Sequence, residues 1–268
     1  MSRITSCLKN LKDSGRTALV PFVTAGDPVI DITPAIMHGL VDGGADIVEL
    51  GIPFSDPEAD GPVIQAASER ALANHVRLLD VLEVVRVFRL TNATTPIILM
   101  GYLNSILGMG EGLFAQRAGD AGVDGVIMVN MPPEESLSLR KVLDPVGIDI
   151  IFLVAPTTSD ERARKIAAAA SGFVYYVSLK GITGAGHIDV ESVRTNLERL
   201  RKLINLPLLV GFGIKNGTTA RAVGQHADGV VMGAALVQTV AAHADAPHTI
   251  PAALTHQLKE VREALDRP

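Results

Sequence analysis

Short apolar runs of strand length alternate eight times with amphipathic helical stretches along this chain, and few folds accommodate that alternation. The runs are Leu19 to Thr24, Ile47 to Leu50, Ile97 to Met100, Gly125 to Val129, Ile148 to Val154, Phe173 to Ser178, Pro207 to Val210 and Gly229 to Met232. They are rich in Val, Ile and Leu without strict polar alternation, the pattern of parallel strands covered on their outer face. Between them, apolar residues recur at helical spacing, first as Ile32, Ile36, Leu40 and Val41. Gly61 to Asn74 reads as an inserted helix, followed by Leu78 to Leu90, Leu113 to Ala121 and Glu134 to Val142. Asp160 to Ala169 follows Ser159, a suitable N-cap. Later helices are marked by Val193, Leu197, Leu200 and Ile204, by Thr218 to Val223, by Ala234 to Val240, and by Leu254, Leu258, Val261 and Leu265.

A weak internal echo supports this count. Gly44-Ala45-Asp46 precedes the second run, Gly122-Val123-Asp124 the fourth, and Ala227-Asp228-Gly229 opens the eighth. A small residue with an Asp suits a tight helix-to-strand turn. The expected fold class is α/β, a (β/α)8 TIM barrel with an extra N-terminal helix and short extra helices after strands 2 and 8. A doubly wound open sheet is the alternative. No Pro-, Gly- or Ser-rich linker divides residues 1–268, so a single TIM-barrel domain is expected.

Composition excludes several function classes. A net charge of −5 without a basic block leaves no footprint for nucleic acid or anionic lipid. Cys7 is the sole cysteine, so no intrachain disulfide or thiolate cluster can form. The seven histidines are scattered, without a ligand pair on a strand, and no catalytic metal is expected. Met1 to Lys12 interleaves charges with Ile4, Leu8 and Leu11, which reads as an amphipathic helix rather than a signal peptide. No stretch has the length of a membrane span, and a cytoplasmic location is expected.

In such barrels chemistry lies at the C-terminal ends of the strands. Glu49 stands inside the second apolar run, and Asp60 ends the Pro-, Gly- and Asp-rich loop that follows. A carboxylate in a buried strand is costly unless it is paired, protonated or facing a cavity. Two carboxylates in unlike environments divide acid and base roles; a salt-bridged Glu49 and a helix-capping Asp60 are the structural alternative. Gly-containing turns follow strands six, seven and eight, at Gly181 to Gly186, Gly211 to Gly213 and Gly233. Three such turns favour a phosphate cradle, with Ala234 to Val240 as its short extra helix. Lys180 reads as a solvated loop residue rather than a Schiff-base lysine, and His187 as a loop histidine. Tyr175 and Tyr176 point to opposite faces of their strand. Phe22 suits either a pocket wall or the core.

The stretches Pro21 to Pro28, Glu49 to Gly61, Pro132 to Glu135, Tyr175 to Gly186 and Gly211 to Ile214 together resemble the tryptophan synthase alpha subunit family. The resemblance implies a lyase that cleaves indole-3-glycerol phosphate to indole and glyceraldehyde 3-phosphate in tryptophan biosynthesis. It implies no cofactor in this chain, and a beta-subunit partner that carries pyridoxal phosphate in an alpha2beta2 complex. By the same resemblance Glu49, Asp60 and Tyr175 are catalytic, with Tyr175 orienting Glu49 and Thr183 holding Asp60. Phe22, Met100 and Phe212 flank the indole, while Gly184, Gly213, Gly233 and Ala234 meet the phosphate. Glu58, Asn130 and Ala234 depart from the family's usual apolar residue, Asp and Ser. The first two bear on contact with the partner and the third on phosphate affinity. Another phosphosugar barrel, such as an epimerase or Schiff-base aldolase, is the second enzyme reading. A regulatory subunit with little activity of its own is the third.

Overall fold

A computed structural model describes residues 2–178, 189–211 and 213–267. Eight strands form a closed barrel in sequence order: β1 Ala18–Thr24, β2 Val48–Gly51, β3 Ile97–Gly101, β4 Gly125–Met128, β5 Asp149–Val154, β6 Val174–Val177, β7 Leu208–Gly211 and β8 Gly229–Met232. Every neighbouring pair is parallel, and β8 closes on β1 through Ala18 opposite Gly229. The described helices are α1 Arg3–Asp13, α2 Thr33–Asp42, α3 Pro62–Ala73, α4 Leu78–Arg89, α5 Leu103–Met109, α6 Glu111–Ala121, α7 Leu137–Leu143, α8 Asp160–Ala169, α9 Val190–Leu200, α10 Gly217–Gly224, α11 Ala234–Ala242 and α12 Ile250–Asp266. The open-sheet alternative is thereby excluded. The extra helices are α1 before β1, α3 after β2, α5 after β3 and α11 after β8.

Alternation along each strand sorts side chains between two cores. On β1, Leu19 and Val23 face the helices, while Ala18 and Val20 point into the barrel. On β6 the outward tyrosine is Tyr176 and the inward one Tyr175. The inner core is continuous with Ile4, Leu8 and Leu11 of α1, all buried. Their spacing of four and three places them on one helix face. That face seals the barrel floor, at about 1.5–3 kcal/mol for each large apolar side chain removed from water.

The Asp echo has a structural meaning. Asp46, ahead of β2, accepts the Leu19 N–H at 2.8 Å. Asp124, ahead of β4, accepts Ile97 N–H at 2.8 Å, and Asp228, ahead of β8, accepts Leu208 N–H at 2.8 Å. Ser171 does the same for Ile150 ahead of β6, at 2.9 Å. Each even-numbered strand is thus preceded by a side chain that satisfies an N–H at the start of its odd-numbered neighbour, where an unpaired donor would be costly. Arg262, Arg89 and Arg201 balance the three carboxylates.

Two local expectations are corrected. The helix expected over Glu134 to Val142 divides into a 3-10 turn, Pro133–Glu135, and α7. Ser136 Oγ donates to the Pro133 carbonyl at 2.7 Å, which favours the tighter turn at that point. Helix α5 was absent from the expected elements. Its seven residues are too short to show a period, and a distant side chain helps to define its start: Asn130 Oδ1 accepts the Leu103 N–H at 2.8 Å.

Helix α3 is tied down ahead of the site. Arg70 forms a bidentate pair with the buried Asp27, at 2.7 and 2.8 Å, and Asn74 donates to the Pro28 carbonyl at 2.8 Å. These contacts fix α3 to the loop after β1, and with α3 they fix the loop that carries Asp60.

Candidate active site

At the C-terminal end of the barrel lies a cavity of about 710 Å³. Every expected site residue that the structure describes lines it: Phe22, Glu49, Asp60, Met100, Tyr175, Gly213, Gly233 and Ala234. Thr183, Gly184 and Phe212 lie outside the described residues, as do Lys180 and His187. The strands explain the convergence. Phe22 of β1 is in register with Glu49 of β2, and Glu49 with Ile98 of β3. Inward positions on three adjacent strands therefore meet at one depth.

Among the described residues Glu49 forms no salt bridge and its Oε2 has no hydrogen-bond partner. It is 1% exposed. Burial pushes its carboxyl up to about 8, and the nearby negative charge of Asp60 adds to that shift. Glu49 is therefore mainly protonated near neutral pH. Asp60 does not cap α3, whose N-cap is Gly61 without a side-chain bond. Burial raises Asp60 to about 6, while a polar contact from the Tyr102 phenol draws it down. At pH 7 the cavity thus holds one carboxylic acid and one carboxylate. Tyr175 is buried, and burial with the Glu49 charge raises its phenol well above the ordinary range. It faces the same cavity as Glu49 without a hydrogen bond to it.

Two residues whose roles the sequence did not show hold this arrangement. Tyr102 Oη accepts the Ala59 N–H at 3.0 Å, and its ring stacks on Phe54 at 4.9 Å. It pins both ends of the loop that delivers Asp60, and burial pushes its own phenol up to about 12. Its place directly after β3, at the catalytic end of a barrel strand, was the available signal. Gly211 is the other. A Cβ there would lie 1.9 Å from Tyr175 Oη and 2.3 Å from its Cζ, so only glycine lets that ring lie against β7. Gly211→Ala is expected to displace Tyr175, lower kcat at least about tenfold and reduce the melting temperature by several degrees. Combined with Tyr175→Ala it should add little to that single change, because the two share one clash. Full additivity in steady-state kinetics and thermal melts would show that the clash is relieved elsewhere.

Glycines of the loops after β7 and β8 also line the cavity. Gly213 has φ +82°, a conformation open to glycine at little cost. Gly233 is the N-cap of α11 and its carbonyl accepts the Leu236 and Val237 N–H groups, while no side chain caps the helix, so its first N–H groups, of Ala234 and Ala235, precede any intrahelical acceptor. A helix N-terminus of this kind favours an anion.

A family model described as tryptophan synthase alpha chain matches residues 8–266. The chain belongs to the tryptophan synthase alpha chain family. A tryptophan synthase alpha chain from Chromobacterium violaceum is 55% identical over 265 residues, covering 99% of this chain and all of that one. The alpha chain of Acidovorax ebreus is 52% identical over 271 residues, with 99% and 100% covered. Among solved structures, tryptophan synthase subunit alpha from Legionella pneumophila superposes with a TM-score of 0.92 at 44% identity, with 99% of each chain covered. Tryptophan synthase from M. tuberculosis in its aminoacrylate-bound form gives 0.87 at 30% identity, covering 99% of this chain and all of that one. The alpha chain family thus accounts for nearly the whole length.

Proposed function

We infer that this chain is the lyase of that family: it cleaves indole-3-glycerol phosphate to indole and glyceraldehyde 3-phosphate in tryptophan biosynthesis. The observation that carries this assignment is the pair of unlike carboxyl groups, Glu49 raised to about 8 and Asp60 to about 6, facing one apolar cavity with an anion-binding end.

The chemistry makes matching demands. Breaking the bond between indole C3 and the glycerol carbon requires a proton on C3, so that the ring can leave. It also requires removal of the hydroxyl proton on the departing carbon, which becomes the aldehyde. Protonated Glu49 supplies the first proton; as the resulting carboxylate it accepts the second and returns to its starting state. Positive charge develops at the indole nitrogen meanwhile, and ionised Asp60 offsets it. Phe22 and Met100 form the walls for the ring. Tyr175 flanks Glu49 and offers a phenol donor to the carboxylate once it forms. The N–H groups of Gly213, Gly233 and Ala234 receive the phosphate.

With Asp60 required as the anion and Glu49 as the acid, kcat/KM is expected to be bell-shaped in pH. Its acid limb should fall near 6 and its alkaline limb near 8, as apparent values of a coupled pair. A profile flat from pH 5 to 9 would contradict the assigned protonation states. Ala234 offers no hydroxyl to the phosphate. Ala234→Ser is expected to tighten glycerol phosphate by roughly 1.5 kcal/mol, about tenfold in Kd, measured by calorimetric titration. An unchanged Kd would separate the start of α11 from the phosphate.

Family membership also supports association with a beta subunit that carries pyridoxal phosphate, in an alpha2beta2 assembly that accepts the indole. Glu58 is exposed on the loop after β2, and Asn130 caps α5, so both departures lie at the barrel end where indole must leave. Among the described residues no helix is long and apolar enough to cross a membrane, which fits the expected cytoplasmic setting.

A further inference from the structure

Beside the substrate cavity is a second, much smaller one of about 10 Å³. The two share Phe22, Asp60, Ile64 and Met100 as walls. The polar residues around the small cavity are Thr24, Asp60, Ser68 and Tyr102. Thr24 ends β1 on the inward-facing side of the strand, in phase with Phe22, and is 3% exposed. Its Oγ1 has no hydrogen-bond partner among the described residues. Buried hydroxyls are almost always satisfied, by protein or by ordered water. A volume of about 10 Å³ is the least that holds one water, and such a water needs two to four polar partners. The walls offer that number.

We propose that the small cavity is a built water site, and that Thr24 acts through its water as a positioning residue for Asp60. The water accepts from the Thr24 hydroxyl and donates to the Asp60 carboxylate. Tyr102 and this water then hold Asp60 together, against the pull of burial towards the neutral acid. The other titratable groups around Asp60 are Glu49 on β2 and Glu58 on its own loop. Across the larger cavity are Tyr175 on β6, Lys215 after β7 and His243 at the end of α11. None of these offers the combination that Thr24 does, a hydroxyl inside the small cavity with no other partner. The proposal rests on the role given to Asp60 above.

Thr24→Val keeps the shape and removes the hydroxyl; Thr24→Ser keeps the hydroxyl. In the full-length protein, Thr24→Val is expected to move the acid limb of kcat/KM up by about half a pH unit or more and to lower kcat several-fold, with KM within about twofold. Thr24→Ser is expected to restore both. A Val variant with parental limb and kcat, or a Ser variant as impaired as Val, overturns the proposal. If the Val variant does not fold, a high-resolution crystal structure of the parent decides. An ordered water within hydrogen-bond distance of Thr24 Oγ1 and an Asp60 carboxylate oxygen supports the proposal; no such water overturns it. This crystallographic readout is independent of turnover. An inactive Asp60→Asn variant with no water in the parent would sink the Thr24 proposal alone. An active one would sink the role of Asp60 whatever the cavity holds.

Discussion

Replacing Glu49 with glutamine abolishes indole release and leaves the fold intact. An amide has nearly the shape of the protonated carboxyl that this site holds, so the side chain keeps its place. It cannot give a proton to C3 or take one from the hydroxyl, and a positioned acid–base group contributes about 10²–10⁴-fold. Loss of both transfers should bring turnover to the lower limit of detection, with circular dichroism unchanged. Activity within tenfold of the parent would remove Glu49 from the mechanism. The same variant carries a stability signature. Folding raises the Glu49 pKa from 4.5 to about 8, so between those values the folded state holds a proton that the unfolded state has released. Raising the pH through that window therefore destabilises the parent, and the glutamine variant escapes this penalty. The melting temperature of the variant minus that of the parent should grow from about pH 4.5 to about pH 8, then level off. A constant difference would mean that Glu49 titrates normally.

Replacing Asp60 with asparagine lowers kcat by about 10²–10³ with little change in substrate affinity. The amide still accepts a hydrogen bond from the indole N–H, which preserves binding. It carries no charge to offset the cation that forms when C3 is protonated, and electrostatic contributions of this kind are worth several kcal/mol. Rapid-mixing single-turnover kinetics separate the steps. Collapse of binding with intact single-turnover chemistry would assign Asp60 to substrate capture instead. The acid limb near pH 6 should also vanish from kcat/KM, since Asp60 is the group whose ionisation it reports.

Much of this architecture was legible in the chain because it depends on local pattern. Strands covered on their outer face must be apolar, and each apolar run coincides with a barrel strand to within a residue or two at its ends. Glu49 stood out because a charge in such a run needs a reason. The Asp46, Asp124 and Asp228 echo was visible as a turn signal, but its bonds to the start of the preceding strand were not. Those bonds depend on the lateral stagger of neighbours, which the sequence does not display. Helix α5 was hidden for a similar reason: its start is fixed by Asn130, far along the chain. The roles of Tyr102, Gly211 and Thr24 were missed because they are relational. Gly211 is an ordinary strand-end glycine until the Tyr175 ring is laid beside it. Thr24 is an ordinary strand threonine until its hydroxyl is found buried and unpaired.

The measurement closest to the central claim is the product balance of indole-3-glycerol phosphate incubated with the purified chain and its own organism's beta subunit, without serine. Indole and glyceraldehyde 3-phosphate should appear in equal amounts at neutral pH, and neither should appear when Glu49→Gln replaces the parent. Failure of the parent to release indole, or equal release by the Glu49→Gln variant, would contradict the account.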